Sequence, residues 1–294
     1  MIYALIALLI WSSSFVAGKI SYSVADPVLI AQIRFILAGI MVFPFFLQAY
    51  RKVPMHLRRR IWFLAILNFP ISFLLQFIGL NYTSAASAAT VVGTEPLLTV
   101  LIGYLFFKQS AKLLDWLMGA LAFVGIAIIV YSTHQTEGEI GLLGLFLVLA
   151  AAVSFVFCLY LGKNLMKEIE PKVYTTVTLG LAPWVCIPFT LLLTQNWAIT
   201  PNTPGILAIL YLGFACSWLA MVLWNKSIHR IHANTAGILI SLEPVFGVLM
   251  AVLILGERLS FLTFVGVILV IVATFVAVGL PVVRQHLKSK KIKG

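Results

Sequence analysis

Ten apolar stretches, roughly residues 2 to 20, 28 to 50, 61 to 80, 86 to 107, 113 to 132, 141 to 162, 172 to 194, 204 to 225, 233 to 255 and 260 to 283, fill almost all of this chain. Each is long enough for one crossing of a bilayer, whose hydrocarbon core takes about 20 helical residues. No water-soluble core absorbs such a series: 62% of the 294 residues are hydrophobic and 10% are charged, against about a quarter charged in an ordinary domain. Backbone polar groups in hydrocarbon must be satisfied inside their own segment, so the expectation is an all-α membrane protein with ten transmembrane helices. The longest connection, Arg51 to Arg60, is too short to fold alone. No soluble catalytic or nucleic-acid-binding domain is therefore expected.

The net charge of +11 then reads as a topological signal and not as a sign of a nucleic-acid partner, because Lys and Arg beside span ends stay on the cytoplasmic side. With the N-terminus in the cytoplasm, seventeen of the 20 basic residues fall on that side. They lie between Arg51 and Arg60, at Lys108 and Lys112, from Lys163 to Lys172, at Lys226 and Arg230, and in the tail from Arg284. The opposite side keeps Lys19 and Arg258, while Arg34 falls inside the second span. Both termini are expected in the cytoplasm, and residues 284–294 form a basic cytoplasmic tail, a positive-inside anchor or a contact for anionic lipid. The opening stretch Met1 to Ile10 lacks the basic start of a secretion signal and is taken as part of the first span. Cys158, Cys186 and Cys216 lie in apolar spans without metal-ligand spacing, so neither a metal nor a cofactor is expected.

The chain repeats itself. Gly18-Lys19 recurs as Gly162-Lys163, 144 residues on, and the same offset carries Pro27 to Pro171 and Pro44 to Pro188. Leu64 to Leu67 recurs as Leu207 to Leu210 at an offset of 143, and Glu95-Pro96 recurs as Glu243-Pro244 at 148. Residues 1–135 and 136–283 are therefore expected to be two five-helix repeats. Five is odd, so the second repeat enters the membrane in the opposite sense, and a pseudo-two-fold axis in the membrane plane relates the two around a central cavity. Such an arrangement lets one protein face alternately inward and outward.

Glu95 and Glu243 sit near the middle of the fourth and ninth spans, where an acidic side chain costs about 2.5–3.5 kcal/mol on insertion scales. Three roles are open: proton coupling, recognition of a cationic substrate group, and support of a helix kinked by Pro96 or Pro244, whose missing N–H leaves a carbonyl in need of a donor. Arg34 is the strongly basic residue well inside a span, and offset 144 gives Thr178 in the other repeat. A substrate carboxylate, a salt bridge to a glutamate and a snorkelling position toward headgroups all fit it. Asn68, Ser72 and Gln76 are spaced by four, on one helical face of the third span. Tyr211, Trp218 and Asn225 are spaced by seven in the eighth, and Trp11 and Ser14 belong to the first. Together they suggest a cavity lined by Trp11, Ser14, Arg34, Asn68, Ser72, Gln76, Glu95, Tyr211, Trp218 and Glu243, suited to a small amphipathic or aromatic solute. Trp224, at the inner end of the eighth span, reads as part of the interfacial aromatic belt. Leu117 to Val130 in the fifth span has no polar side chain and Phe264 to Leu280 in the tenth has Thr274 alone, so these two spans look like outer scaffold.

Several segments carry a resemblance. Trp11 to Lys19, the Ala31-Gln32-Ile33-Arg34-Phe35 segment, Glu95-Pro96, and Glu243-Pro244 followed by Leu255-Gly256-Glu257-Arg258-Leu259 resemble the signature segments of EamA-type carriers in the drug/metabolite transporter superfamily. The resemblance covers nearly the whole chain. It implies a basket of ten helices with the fifth and tenth outside, in the cell membrane, here the inner membrane of a bacterium. It also implies export of amino acids, related metabolites or toxic amphipaths, often in exchange for protons. One departure stands out: Phe107-Lys108-Gln109-Ser110 occupies the place where the second repeat has Leu255-Gly256-Glu257-Arg258, so no role passes to Gln109.

The expected function is a secondary transporter moving a small amphipathic metabolite, with the bilayer, a small-molecule substrate and protons as partners. An exchanger of phosphorylated or nucleotide sugars would need several deep cations, and Arg34 stands alone at depth. A non-transporting receptor or scaffold is the reading from another class. An enzyme is not expected: Asp26, Asp115, His134, His229 and His232 all lie near span ends, and no phosphate-binding Gly-rich loop ends in Gly-Lys-Ser or Gly-Lys-Thr.

Overall fold

The computed structural model of the chain describes residues 2–228 and 242–276, without the side chains of 133–140 and 228. The tail 284–294, Arg230, the histidines at 229 and 232, and the first half of the expected ninth span lie outside the described residues. Among the described residues eight helices are long and apolar enough to cross a membrane: α1 Ile2–Ser21, α2 Pro27–Arg51, α3 Met55–Tyr82, α4 Ala85–Phe107, α5 Leu113–Ser132, α6 Gly141–Leu165, α7 Pro171–Leu193 and α8 Thr203–Ser227. Two shorter apolar helices complete the set, α9 Glu243–Leu255 and α10 Phe261–Val276. Helix α3 starts six residues before the expected span. Its first turns bury Leu57 and Ile61 on one side and leave Arg59 and Arg60 exposed on the other, so basic residues extend the helix into the headgroup zone instead of ending it.

The packing obeys the internal repeat. Helix α2 lies against α7, and α4 against α9; α3 pairs with α6 as α8 pairs with α1. The aromatic contacts of Phe106 with Phe157 and of Phe107 with Tyr160 join α4 to α6, matching the contact of α9 with α1. Exchanging α1 with α6, α2 with α7, α3 with α8 and α4 with α9 leaves this set unchanged. That exchange is what two five-helix repeats related by a two-fold axis would give. Helix α5 has 17% of its apolar window buried, against 44–56% for the other seven long helices, which places it at the periphery. It packs on α10 through Gly125 and Gly266, where a Cβ on either would come within 2.9 or 2.7 Å of the other's carbonyl oxygen.

Two irregularities are built into the spans. First, α3 and α8 each contain a π-helical stretch, Leu67–Phe73 and Leu212–Leu219, at matching places in the two repeats. Pro70 removes an α-helical donor in the first, but the second has no proline. Both share a serine hydroxyl on the carbonyl five residues back: Ser72 Oγ lies 3.0 Å from Leu67 O, and Ser217 Oγ 2.8 Å from Leu212 O.

Second, α4 is two helical pieces, Ala85–Val92 and Glu95–Phe107, separated by Gly93 and Thr94. Pro96 therefore stands in the first turn of a new helix, where its missing N–H costs nothing, and Pro244 holds the same position at the start of α9. The expected proline kink is thus corrected to a stop and a restart. Gly93 permits it, because a Cβ there would collide with the ring of Pro244. At the other end of α4 the Glu257 carboxylate accepts hydrogen bonds from Ala85 N and Ala86 N at 2.8 and 3.0 Å, so the loop after α9 caps a helix of the first repeat.

Candidate functional site

Two threonine hydroxyls lie at carbonyls beside the break in α4. Thr94 Oγ1 donates to Val91 O at 2.7 Å, and Thr274 Oγ1 of α10, which donates to Val270 O at 2.8 Å, lies 3.4 Å from Gly93 O. Glu95 and Glu243 each begin a helix, at its positive end, and are 9% and 8% exposed. Their carboxyl groups are close enough to interact electrostatically, and both line one cavity where the repeats meet.

That cavity has a volume of about 50 Å³. That is room for a few water molecules and not for an organic solute, since each water needs roughly 10–15 Å³ measured in this way. Helix α1 supplies Leu8, Trp11 and Ser14, α2 supplies Arg34, and α3 supplies Ser72, Phe73 and Gln76. Val92 and Glu95 come from α4, Ala151, Ala152 and Phe155 from α6, Trp224 from α8 and Glu243 from α9.

Arg34 is 1% exposed, so it does not snorkel. Among the described residues no carboxylate pairs with it. Its Nε donates to Ser217 Oγ at 2.7 Å, and its guanidinium carbon lies 4.8 Å from the ring centre of Phe77, 5.1 Å from Phe73 and 5.5 Å from Phe35. A cation held by π faces and one neutral hydroxyl keeps its charge uncompensated by protein carboxylates. A guanidinium has four further N–H donors for a planar anion.

Of the ten residues expected at the site, Trp11, Ser14, Arg34, Ser72, Gln76, Glu95 and Glu243 line this cavity; Asn68, Tyr211 and Trp218 do not. The Tyr211 hydroxyl pairs with Ser13 Oγ at 2.7 Å outside it, and Trp218 faces a separate groove between α2, α7 and α8. The intervening π-helical stretch breaks the spacing of seven. One extra residue in a turn rotates everything after it by about 100°, so Tyr211 does not share a face with Trp218, which lines that groove with Val222 and Lys226 of the last turns of α8. The same rotation brings Trp224 inward, 4% exposed and 5.4 Å from Trp11, which corrects its assignment to the interfacial belt. Asn225 turns away to donate to Thr175 Oγ1 at 2.8 Å. Asn68 is too far along α3, about 12 Å from Gln76, and its buried Oδ1 has no partner among the described residues. Ser217 is a site residue that spacing alone does not single out; its place 145 residues after Ser72 is the signal that marks it.

The model of the EamA-like transporter family matches residues 1–131 and 142–279. An "uncharacterized transporter" of Haemophilus influenzae is 44% identical over 143 residues, 48% of this chain and 84% of that protein. Another, from Archaeoglobus fulgidus, is 26% identical over 292 residues, 96% of each chain. A "probable amino-acid metabolite efflux pump" of Escherichia coli is 25% identical over 292 residues, 94% of each. A crystal structure 20% identical to this chain, matching 95% of it and 96% of the other, gives a TM-score of 0.64, a likeness of fold.

Proposed function

Because this chain belongs to the EamA-like transporter family, we propose that it carries a small amphipathic metabolite of the amino-acid type out of the cell by alternating access, with the cavity between Arg34, Glu95 and Glu243 as the binding site. One observation carries this reading: a buried cation free of carboxylate partners among the described residues and two buried carboxylates, drawn from both repeats, line a single cavity. An amino acid is complementary to that set. Its carboxylate would take the guanidinium in paired hydrogen bonds, and its ammonium group would meet a glutamate. The apolar remainder would lie against Trp11, Phe73, Phe155 and Trp224.

The relatives named as amino-acid metabolite efflux pumps support both the solute class and the outward direction. A cavity of about 50 Å³ belongs to a conformation closed around the site, so binding requires helices to part. Inverted repeats provide two such openings of matching form, one to each side. With no solute bound, the paired carboxylates are the natural carriers of protons, and uptake of protons would drive export of the metabolite. Both termini face the cytoplasm of a bacterium in this reading, which alkaline phosphatase fusions at the C-terminus test by remaining inactive.

Purified protein in liposomes, given an inward proton gradient and a panel of labelled amino acids, tests the proposal. Gradient-driven flux of at least one amino acid is expected, with Glu95→Gln and Glu243→Gln each losing the dependence on the gradient. Flux with unchanged gradient dependence in both variants overturns proton coupling, and no flux of any amino acid overturns the solute class.

A further inference from the structure

Three grooves on the lipid-facing surface differ in one respect. That of about 770 Å³ between α2 and α7 is lined by no ionised side chain, and that of about 420 Å³ between α4 and α5 contains Asp115 and no cation. The third, about 610 Å³, has Lys172 and Lys226 at its rim together with Glu170. Lys172 is the second residue of α7 and Lys226 lies in the last turn of α8, so both stand at the same end of the bundle, and both are exposed. The ring of Tyr3, 4.9 Å from Lys226 Nζ, holds that ammonium in place. The walls on two sides are apolar, Met41, Val42 and Phe45 from α2 and Trp218 and Val222 from α8, while α7 adds Thr175 and Thr176.

Depth matters as much as charge. From Lys226 to Trp218 the helix rises roughly 12 Å. One leaflet's hydrocarbon is about 15 Å deep, half of a 30 Å core. The groove thus combines cations at headgroup level with an apolar wall about as long as one leaflet's acyl region. The duplication did not supply these cations. The corresponding positions of the first repeat are Val28 and Asn81, with Asp26 in the place of Glu170.

We propose that this groove binds one anionic phospholipid, its phosphate on Lys172 and Lys226 and an acyl chain against Met41, Phe45, Trp218 and Val222. Glu170 leaves the rim with one net positive charge, which matches a single phosphodiester. The lipid also touches the π-helical stretch of α8 at Trp218, the residue after the serine that holds Arg34. The site stands independently of the transport reading.

Native mass spectrometry of the full chain in detergent, with equal amounts of dioleoylphosphatidylglycerol and dioleoylphosphatidylcholine, tests it. One phosphatidylglycerol is expected to be retained in preference to phosphatidylcholine. Lys172→Ala with Lys226→Ala should weaken it roughly thirtyfold, about fivefold per lysine. Val222→Trp, which fills the groove and keeps its charge, should weaken it as well. Both lysines are exposed, so thermal unfolding of the double variant in lipid-free detergent should match that of the parent and show an intact fold. Equal retention of the two lipids, unchanged phosphatidylglycerol binding in either variant, or displacement of the lipid by inorganic phosphate alone would overturn the proposal.

Discussion

Ser217 donates to the Leu212 carbonyl while accepting from Arg34 Nε, so one hydroxyl fixes both a π-helical stretch and the orientation of the buried cation. Its repeat mate Ser72 lies against the Leu67 carbonyl and Ser154 instead. The pair separates two effects that a single substitution would confuse. Ser217→Ala removes a hydrogen bond to a charged group, a change of about 1.5–3 kcal/mol, and should raise KM for amino-acid flux tenfold or more. Ser72→Ala removes the corresponding backbone bond and the one to Ser154 without touching Arg34, and should raise KM less than Ser217→Ala does. Equal KM shifts in the two would assign the effect to the π-helical stretch alone. At this scale the sequence shows which side chains are costly at depth, and hence Arg34, Glu95 and Glu243. It conceals how Arg34 is held, because the three phenylalanines and Ser217 that surround it are ordinary residues in an apolar chain.

Elements depart from the sequence pattern where a helix is irregular. Face assignments assume 3.6 residues per turn, and they fail past Leu212, whose π-helical stretch has no proline to announce it. The Glu-Pro pairs do announce an interruption. Whether it is a kink or a full break depends on Gly93 meeting Pro244 across the two repeats, a contact beyond the reach of local pattern. Two predictions belong here. Gly93→Val forces a side chain into the Pro244 ring and should lower stability by about 1–3 kcal/mol, measured by thermal unfolding in detergent. Glu257→Ala leaves Ala85 N and Ala86 N without their carboxylate and should cost about 0.5–2 kcal/mol, with Glu257→Gln falling between it and the parent. A neutral result for Glu257→Ala would mean that water replaces the cap at no cost.

Across the whole molecule the repeat is legible because proline, glycine and glutamate mark the same backbone positions twice, and the packing of α2 on α7 and α4 on α9 agrees with it. The small size of the cavity is not legible, since volume depends on how seven helices lean on one another. That volume makes a prediction. Ala152→Phe intrudes on the cavity that Glu95 also lines and should reduce flux more than tenfold, at a cost of about 1–3 kcal/mol in stability at this buried position, read by thermal unfolding; retained flux would move the pathway elsewhere. The Glu257 cap finally bears on how the protein is made. Ala85 and Glu257 are 172 residues apart, so on the ribosome the N-terminus of α4 waits roughly ten to thirty seconds for its carboxylate. Until then the first repeat sits in the membrane with that helix end unfinished, and the nascent chain completes it only after nearly all of its partner repeat has been synthesised.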